Sequence, residues 1–330
     1  MTFKRSPLYQ LCIQQNCRVS PFAGWEMPMQ FSGLINEHQA VRKAAGVFDI
    51  SHMGVLQLEG KNPKNALQAL VPSDLNRIGP KEACYTLLLN EKAGVIDDLI
   101  IYDCGKNNED KGKILIVINA ACFSNDINWL QKHLNNKDVV IKDAKKDGVL
   151  LAVQGPKSQE VLERHFNISL KNLPNFGHCQ IQLNSKKKIK DYSSSMFIAR
   201  TGYTGEDGFE LLLTAEDGKI VWQKLMNAGV MPCGLGARNT LRLEAGMHLY
   251  GNDMNLETTP FEAGLGWLVH LEMPTNFLGK DVLEKQAKEG IKQLLIGLKL
   301  EGRAIAREGY QVFHENSPIG KITSGTWSPS

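Results

Sequence analysis

The sequence of 330 residues has no long apolar run and no strong excess of charge of one sign. No apolar stretch approaches the roughly 18–20 residues that a membrane-spanning helix needs. Residues 1–7 also lack the apolar core of a secretory signal. These absences predict a soluble protein of the cytoplasm with no membrane partner.

The seven cysteines and eight histidines show no arrangement typical of a metal site or of a reactive thiol. No two cysteines form a C-x-x-C motif, and the adjacent residues His178 and Cys179 would point to opposite faces of a strand. An odd number of scattered cysteines is typical of reduced thiols. The sequence therefore predicts neither a metal ion nor a cysteine nucleophile.

The basic residues are scattered along the chain, and the net charge is only +3. The densest cluster, at 186–190, lies beside Asn and Ser residues and predicts a solvated turn. A nucleic-acid site needs a basic face with interleaved aromatic or Arg side chains, which this cluster does not provide. The sequence therefore predicts no nucleic-acid partner.

The composition, with 42% hydrophobic and 22% charged residues, is that of a globular protein with about two folding units. Strand patterns over 85–90 and 95–102 flank a short link that contains Gly, which predicts a β-hairpin. The sequence also predicts an irregular loop over 22–28, one interrupted strand over 47–60 and a strand over 293–300. Because strands pair through hairpins as often as they alternate with helices, an α+β fold is favoured over a doubly wound sheet.

Two acidic residues, Asp97 and Asp98, lie within an apolar segment that runs from Gly94 to Tyr102. Carboxylates in such a strand need solvent, a partner or a functional role, because their burial is costly. Alternation along the strand places the two acids on opposite faces and puts Asp98 on the same side as Tyr102. From spacing alone, acids that cap the hairpin near Gly94 are an equally good interpretation.

Three glycines in the segment 200–210 are spaced G-x-x-G-x-x-G, which lets the backbone approach another group closely. The segment leads into a strand and not a helix, so it lacks the context of a dinucleotide-binding fingerprint. Glu210 follows in an apolar strand, where its carboxylate could accept two parallel N–H donors from a guanidine-like ligand edge. A charge that faces water on an edge strand is the alternative, and spacing alone favours it.

Glycines at 234 and 236 precede a predicted helix that carries Arg238 in its first turn. A cation is unfavourable there, beside the positive end of the helix dipole. Arg238 therefore indicates an anionic ligand or a buried carboxylate. Arg242 and Glu244 on the same helix are interpreted as members of structural ion pairs.

Together these segments resemble the glycine cleavage system T-protein (aminomethyltransferase) family from end to end, in family order. The segments that carry the resemblance are Phe22-Ala-Gly-Trp-Glu-Met-Pro28, Val41-Arg-Lys followed by Gly46-Val-Phe-Asp-Ile-Ser-His-Met-Gly54, Gly94-Val-Ile-Asp-Asp-Leu99, residues 200–210, Gly234-Leu-Gly-Ala-Arg238 with Arg242-Leu-Glu244, and Ile322-Thr-Ser-Gly325. The resemblance implies an enzyme that transfers a one-carbon unit from the lipoyl arm of H-protein to tetrahydrofolate and releases ammonia. Tetrahydrofolate would be the acceptor substrate, with no metal and no nucleotide. The lipoylated H-protein would be the direct partner, with P-protein and L-protein in the same system. For a eukaryotic source the resemblance implies the mitochondrial matrix, although the sequence has no recognisable transit peptide.

The resemblance also implies roles for individual residues. By its position in the motif, Asp98 matches the family's essential acid, which orients the amine region of folate and assists proton movement. Glu210 matches the carboxylate that receives the pterin edge, and Arg238 matches a folate-contacting arginine. The other positions that line the family's pocket are Met53, Tyr85, Asn119 and Tyr203. Strand alternation adds Tyr102 on the side of Asp98.

The implied architecture is a three-domain cloverleaf around a folate channel. Residues 1–275 would form two intertwined α+β domains, and residues 276–330 the beginning of a C-terminal β-barrel domain. The chain stops where the family has further barrel strands, and a folate-contacting Arg near the family's C-terminus has no counterpart. We therefore expect an incomplete barrel with open strand edges.

Two other functions remain open on the same fold. A folate-dependent demethylase of a small methylated amine or sulfonium would differ only in its one-carbon donor. A non-catalytic folate-binding protein would belong to a different class. The retained Asp98 and the absence of a motif such as K-G-C-Y-x-G-Q-E disfavour this second alternative.

Overall fold

The computed structural model describes residues 2–135, 138–183 and 195–330, so the lysine cluster at 186–190 lies outside the described residues. The helices are α1 Tyr9–Gln14, α2 Leu34–Lys43, α3 Pro63–Gln68, α4 Phe123–Leu134, α5 Ser158–Phe166, α6 Ala215–Asn227, α7 Leu235–Glu244 and α8 Lys280–Glu289. The strands are β1 Lys4–Arg5, β2 Arg18–Phe22, β3 Trp25–Gln30, β4 Gly46–Asp49, β5 Gly54–Gly60, β6 Ala83–Leu89, β7 Val95–Lys106, β8 Gly112–Ile118, β9 Val139–Asp143, β10 Val149–Gln154, β11 His178–Gln182, β12 Ser195–Ala199, β13 Gly208–Leu213, β14 Met231–Cys233, β15 Gln311–His314 and β16 Ser317–Lys321. Within these ranges no helix is long and apolar enough to cross a membrane.

The fold contains two large sheets, the first mixed and the second antiparallel. The first sheet has the strand order β11-β12-β13-β10-β4-β14, and the second has the order β6-β7-β8-β5-β9. The chain adds β4 to the first sheet, builds the whole second sheet and then returns to complete the first. The predicted α+β fold is confirmed, and so is the hairpin that β6 and β7 form.

Alternation of side chains gives each sheet two apolar faces. On β13, Phe209 and Leu211 point into a core that also contains Trp222 of α6. The intervening residues of β13, Glu210 and Leu212, point to the opposite face, where they line a small cavity with Tyr102 of the second sheet. The two sheets therefore meet across the faces that carry the candidate site residues.

The predicted irregular loop over 22–28 is wrong, because β2 and β3 form an antiparallel hairpin with Phe22 opposite Trp25. The two residues between the strands, Ala23 and Gly24, have φ values of 47° and 81°. Two successive left-handed residues are the geometry of a tight hairpin turn, whose twist matches that of the strands it joins. Pro28 is tolerated within β3 because β1 pairs only with Trp25 and Glu26, so that one side of β3 is unpaired at residue 28, beside a register shift in its pairing with β2.

Two further predictions of strands are corrected by the structure. Residues 47–60 form β4 and β5, which belong to different sheets, because the chain turns away between 50 and 53. The predicted strand over 293–300 is absent, and these residues have no regular structure. Among the described residues beyond 290, β15 and β16 pair as a hairpin, and no closed barrel is formed.

The turn before β7 is fixed by close packing against a distant segment. The Asn90 side chain accepts hydrogen bonds from Gly94 N–H and donates to the carbonyl oxygen of Leu256 at 3.0 Å. A Cβ atom at Gly94 would lie 1.8 Å from that same carbonyl oxygen. Only glycine therefore allows this approach, which sets where β7 begins.

Replacing Gly94 with Ala is expected to lower the free energy of unfolding by about 1–3 kcal/mol, because the added methyl group must displace backbone. Urea unfolding followed by circular dichroism measures the change. Gly297→Ala is the matched control, since a Cβ atom there meets nothing within 4 Å. Equal midpoints for the two variants would show that the 256 carbonyl does not restrain the turn.

Candidate functional site

The carboxyl group of Asp98 is held by two neighbouring strands. Asp98 is the fourth residue of β7, directly opposite Leu87 of β6. The Tyr85 hydroxyl donates to Asp98 Oδ2 at 3.0 Å, and the Asn119 side-chain amide, just beyond β8, donates to Asp98 Oδ1 at 2.7 Å. The interpretation of the acids as hairpin caps is wrong, because the turn N–H groups bond to Asn90 instead.

The electrostatic surroundings give Asp98 an acidity suited to proton transfer near neutral pH. Burial of its carboxyl group and the adjacent Asp97 charge raise the pKa of Asp98 to about 7, against the opposing effect of the Tyr85 and Asn119 hydrogen bonds. A group with a pKa near the working pH can both accept and return a proton. Asp98 is thus chemically able to act as a general base or acid.

Glu210 belongs to a second polar group on the facing sheet. It is 6% exposed and lies on β13, which runs between β10 and β12, so the interpretation as an edge charge facing water is wrong. Thr201 Oγ1 donates to Glu210 Oε2 at 2.7 Å and lies 3.2 Å from the Tyr102 hydroxyl. Tyr102 therefore contacts the group around Glu210, although alternation places it on the side of β7 that carries Asp98.

Arg238 and Tyr203 stack on each other and add two further polar side chains to the candidate site. The Arg238 guanidinium carbon lies 4.8 Å from the centroid of the Tyr203 ring. Burial lowers the pKa of Arg238, while the negative charge of Glu210 acts in the opposite direction. Within the described part of the chain, Nη1 of Arg238 has no hydrogen-bond partner. A buried guanidinium with a free donor can bind an acceptor group of a ligand.

The remaining predicted site residues are Tyr203 and Met53. The Tyr203 hydroxyl donates to the carbonyl oxygen of His248, which fixes the ring beneath Arg238. Met53 follows β4 and packs against the apolar cluster that includes Val55. The structure thus groups Asp98 with Tyr85 and Asn119. It groups Glu210 with Tyr102 through Thr201. The Tyr203–Arg238 stack and Met53 lie outside these two hydrogen-bonded groups.

Sequence reasoning missed three polar residues of this region. Thr201 joins Glu210 to Tyr102, and its place within the 200–210 motif was the available signal. His52 is buried, and its Nδ1 has no hydrogen-bond partner among the residues that the structure describes. Burial together with the charges of Arg238 and Lys145 lowers the pKa of His52 to about 3. Asp126 is buried in α4 and gave no signal, because an acid in a first helical turn is common.

The ion pairs predicted for α7 are present. Arg242 is 2% exposed and pairs with Asp253 at 2.9 Å. Glu244 pairs with Arg42 of α2 at 2.8 Å. The prediction of structural ion pairs for Arg242 and Glu244 is confirmed, and these two residues are distinct from Arg238.

Comparison with known proteins identifies the family. The family described as GCVT N-terminal domain matches residues 8–273, and the glycine cleavage T-protein C-terminal barrel domain matches residues 293–330. The chain belongs to the glycine cleavage T-protein family. The aminomethyltransferase of Prochlorococcus marinus (strain MIT 9313) is 62% identical over 330 residues, which cover 100% of this chain and 88% of that protein. The aminomethyltransferase of Synechococcus sp. (strain CC9902) is 60% identical over 326 residues, covering 99% and 88% of the two chains.

A solved member of the T-protein family has the same fold. The crystal structure of the glycine cleavage system aminomethyltransferase T from Bartonella henselae matches with a TM-score of 0.89 at 33% identity. The match covers 99% of this chain and 87% of that one. Family membership, first indicated by the motifs, is therefore confirmed by sequence and by fold.

Proposed function

We propose that the protein is the tetrahydrofolate-dependent aminomethyltransferase of the glycine cleavage system. It would take the methylene carbon from the S-aminomethyl-dihydrolipoyl group of H-protein and form 5,10-methylenetetrahydrofolate and ammonia. The observation that carries this proposal is the Asp98 carboxyl group, held between Tyr85 and Asn119 with a pKa near 7 at the position of the family's essential acid. Relatives at 60–62% identity that bear the name aminomethyltransferase support it.

The proposed reaction balances without an oxidant or a reductant. The methylene carbon breaks its bonds to the lipoyl sulfur and to the amino nitrogen, and it forms bonds to N5 and N10 of tetrahydrofolate. The two hydrogens that leave N5 and N10 end on the thiol and on ammonia. Asp98, which can accept and return a proton near neutral pH, orients the folate amine and moves one of these protons. Neither a metal ion nor a nucleotide takes part.

Glu210 and Arg238 provide the polar contacts that folate needs. The pterin ring presents parallel N–H donors along one edge, and the Glu210 carboxylate is a suitable bidentate acceptor for them. Nη1 of Arg238, which has no hydrogen-bond partner in the described part of the chain, provides a further donor. The remaining residues that we assign to folate binding are Tyr203, Tyr85, Tyr102, Asn119 and Met53.

The partners and the domain division form part of the same proposal. The direct donor is lipoylated H-protein, and P-protein and L-protein would act in the same system in the cytoplasm. We place the division between the folate-binding region and the C-terminal unit near residue 275. The family matches end at residue 273 and resume at residue 293, which supports a division in this part of the chain.

Replacing Glu210 with Gln is expected to weaken tetrahydrofolate binding roughly 10- to 100-fold, because the neutral amide loses a charge-assisted contact. Isothermal titration calorimetry measures the change in Kd. Glu206→Gln is the control, because this substitution removes the same charge from a carboxylate that pairs with Arg42 on α2. Unchanged affinity in E210Q would contradict the role of Glu210, and equal weakening in both variants would indicate a general charge effect.

A further inference from the structure

Asp126 of helix α4 has a buried carboxyl group that lies close to the acidic residues Asp97 and Asp98 of β7. Asp126 is the fourth residue of α4 and has 0% exposure. Neither of its carboxyl oxygens has an N–H or O–H partner among the described residues. The carboxyl group of Asp97, which is also fully buried, lies near enough to form a carboxyl–carboxyl hydrogen bond with it if one of the two is protonated.

Two carboxylates cannot hydrogen-bond to each other unless one of them carries a proton. Burial and the nearby charge of Asp97 raise the pKa of Asp126 to about 10. The same contact with Asp126 acts to lower the pKa of Asp97, although burial raises it overall. Asp97 accepts two hydrogen bonds from Asn119, whereas neither oxygen of Asp126 has an N–H or O–H partner among the described residues. The negative charge is therefore better stabilised on Asp97, which assigns the shared proton to Asp126.

Asn119 connects this pair to Asp98. Its backbone N–H donates to Asp97 Oδ2 at 2.9 Å, and its side-chain amide donates to Asp97 Oδ1 at 2.8 Å. The same amide nitrogen donates to Asp98 Oδ1 at 2.7 Å. An amide NH₂ group has two hydrogens, so both are used, and the orientation of the amide is set by Asp97.

We propose that the Asp126 carboxyl group donates a hydrogen bond to Asp97 and is thereby a positioning residue, which holds the Asn119 amide against Asp98. Without a donor at Asp126, Asp97 would lose one of its hydrogen bonds and the Asn119 amide could rotate away from Asp98. This inference rests on the proposed function, because its kinetic consequence is read in the transfer reaction.

The other titratable groups that face these acids come from four different parts of the chain and are neutral near pH 7. They are Tyr85 on β6, Cys122 before α4, Tyr203 between β12 and β13, and Tyr250 after α7. Burial raises the pKa of each of them above its usual value. A change in the pH dependence of the reaction between pH 5 and 9 is therefore assigned to the three carboxyl groups.

The test compares two substitutions in the full-length protein that keep the number and branching of the side-chain heavy atoms. Asp126→Asn keeps a donor toward Asp97, whereas Asp126→Leu removes it. We expect D126L to lower kcat for ammonia release roughly 10- to 100-fold, with a smaller change in KM for tetrahydrofolate, because the acid that reacts is misplaced. D126N should retain most of the parent activity. Equal kcat for D126L and the parent, or equal loss in both variants, would overturn the proposal.

The pH–rate profile separates positioning from a simple effect of charge. If Asp126 were ionised in the parent, D126N would remove a negative charge and lower the pKa of Asp98, which would move the acidic limb down by about one pH unit or more. The proposal predicts that the limb of D126N stays in place. A downward shift would overturn it.

Thermal unfolding provides a readout that does not depend on the reaction. In the folded protein Asp126 keeps a proton that the unfolded chain releases above about pH 4. The parent therefore loses stability as pH rises from about 4 toward the folded pKa of about 10, and D126N lacks this loss. D126N should thus melt at a higher temperature than the parent at pH 8, and a lower melting temperature would contradict the neutral state of Asp126.

The outcomes distinguish this inference from the proposed function. A parent protein without aminomethyl transfer refutes the function and leaves the stability readout to decide the state of Asp126. An active parent with unaltered D126L refutes the inference alone. If D126L does not fold, Asp126→Ala takes its place, and failure of both to fold beside an active D126N would make the role structural and overturn the proposal.

Discussion

Asp98→Asn is expected to reduce the rate of methylene transfer by roughly 10²- to 10⁴-fold while leaving tetrahydrofolate binding within about threefold. The amide has nearly the same shape as the carboxyl group and can still contact Tyr85 and Asn119. It cannot accept a proton from the folate amine, so the loss should appear in kcat. Ammonia release with aminomethylated H-protein measures the rate, and calorimetry measures the affinity.

The pH dependence provides a second signature of Asp98. Because its pKa is raised to about 7 by burial and by the charge of Asp97, the ionised fraction should fall as the pH drops through 7. The parent rate should fall in parallel, and this limb should be absent from the residual activity of D98N. A limb of the same position in both proteins would assign the titration to another group.

Asp103→Asn is the matched control for this prediction. Asp103 lies on the same strand and is also buried, but its carboxylate pairs with Lys64 at 2.7 Å, away from Asp98. D103N should therefore keep the parent pH profile and most of the rate. Equal rates for D98N and the parent would remove Asp98 from the mechanism.

Replacing Arg242 with Met is expected to lower the free energy of unfolding by about 3–5 kcal/mol, because Asp253 would stay buried without its partner. The guanidinium also donates to the Met247 carbonyl oxygen at 3.1 Å and to Ser324 Oγ at 2.8 Å. It thus joins α7 to the following turn and to the C-terminal segment. Chemical unfolding measures the loss, and double replacement of Arg242 and Asp253 by apolar residues should recover part of it.

Arg77→Met is the surface control for this prediction. Arg77 pairs with Glu272 at 2.8 Å, and the two side chains are 58% and 65% exposed. Exposed ion pairs contribute about 0–1 kcal/mol, so R77M should unfold near the parent midpoint. If R242M and R77M destabilise equally, the buried pair does not hold the C-terminal segment.

The sequence was most informative where local pattern and chemistry agree. The hairpin of β6 and β7 could be predicted because apolar alternation flanks a short turn with Gly94. Arg242 could be interpreted as an ion-pairing residue from its place on a helix. Asp98 could be identified as a candidate because an acid in an apolar strand is costly to bury. Only the family resemblance favoured a catalytic role over that of a hairpin cap.

The remaining features depend on contacts between distant parts of the chain. Glu210 could pass for an edge charge, since nothing local shows that β13 lies between β10 and β12. The separation of β4 from β5 follows from which sheet each one joins. The contact of Asp126 with Asp97 links a helix to a strand about 30 residues earlier, and no periodicity reports it. A family resemblance can indicate such a contact only for a residue that lies within one of the matching motifs.

The central claim is that this chain transfers the methylene carbon from H-protein to tetrahydrofolate. The most direct measurement is ammonia release from aminomethylated H-protein by the purified protein, with dimethylglycine and a methylsulfonium compound supplied as competing donors. We predict release that requires tetrahydrofolate, is matched by formation of 5,10-methylenetetrahydrofolate and is not reduced by either competitor. No release from H-protein, together with tetrahydrofolate-dependent demethylation of a competitor, would contradict the claim.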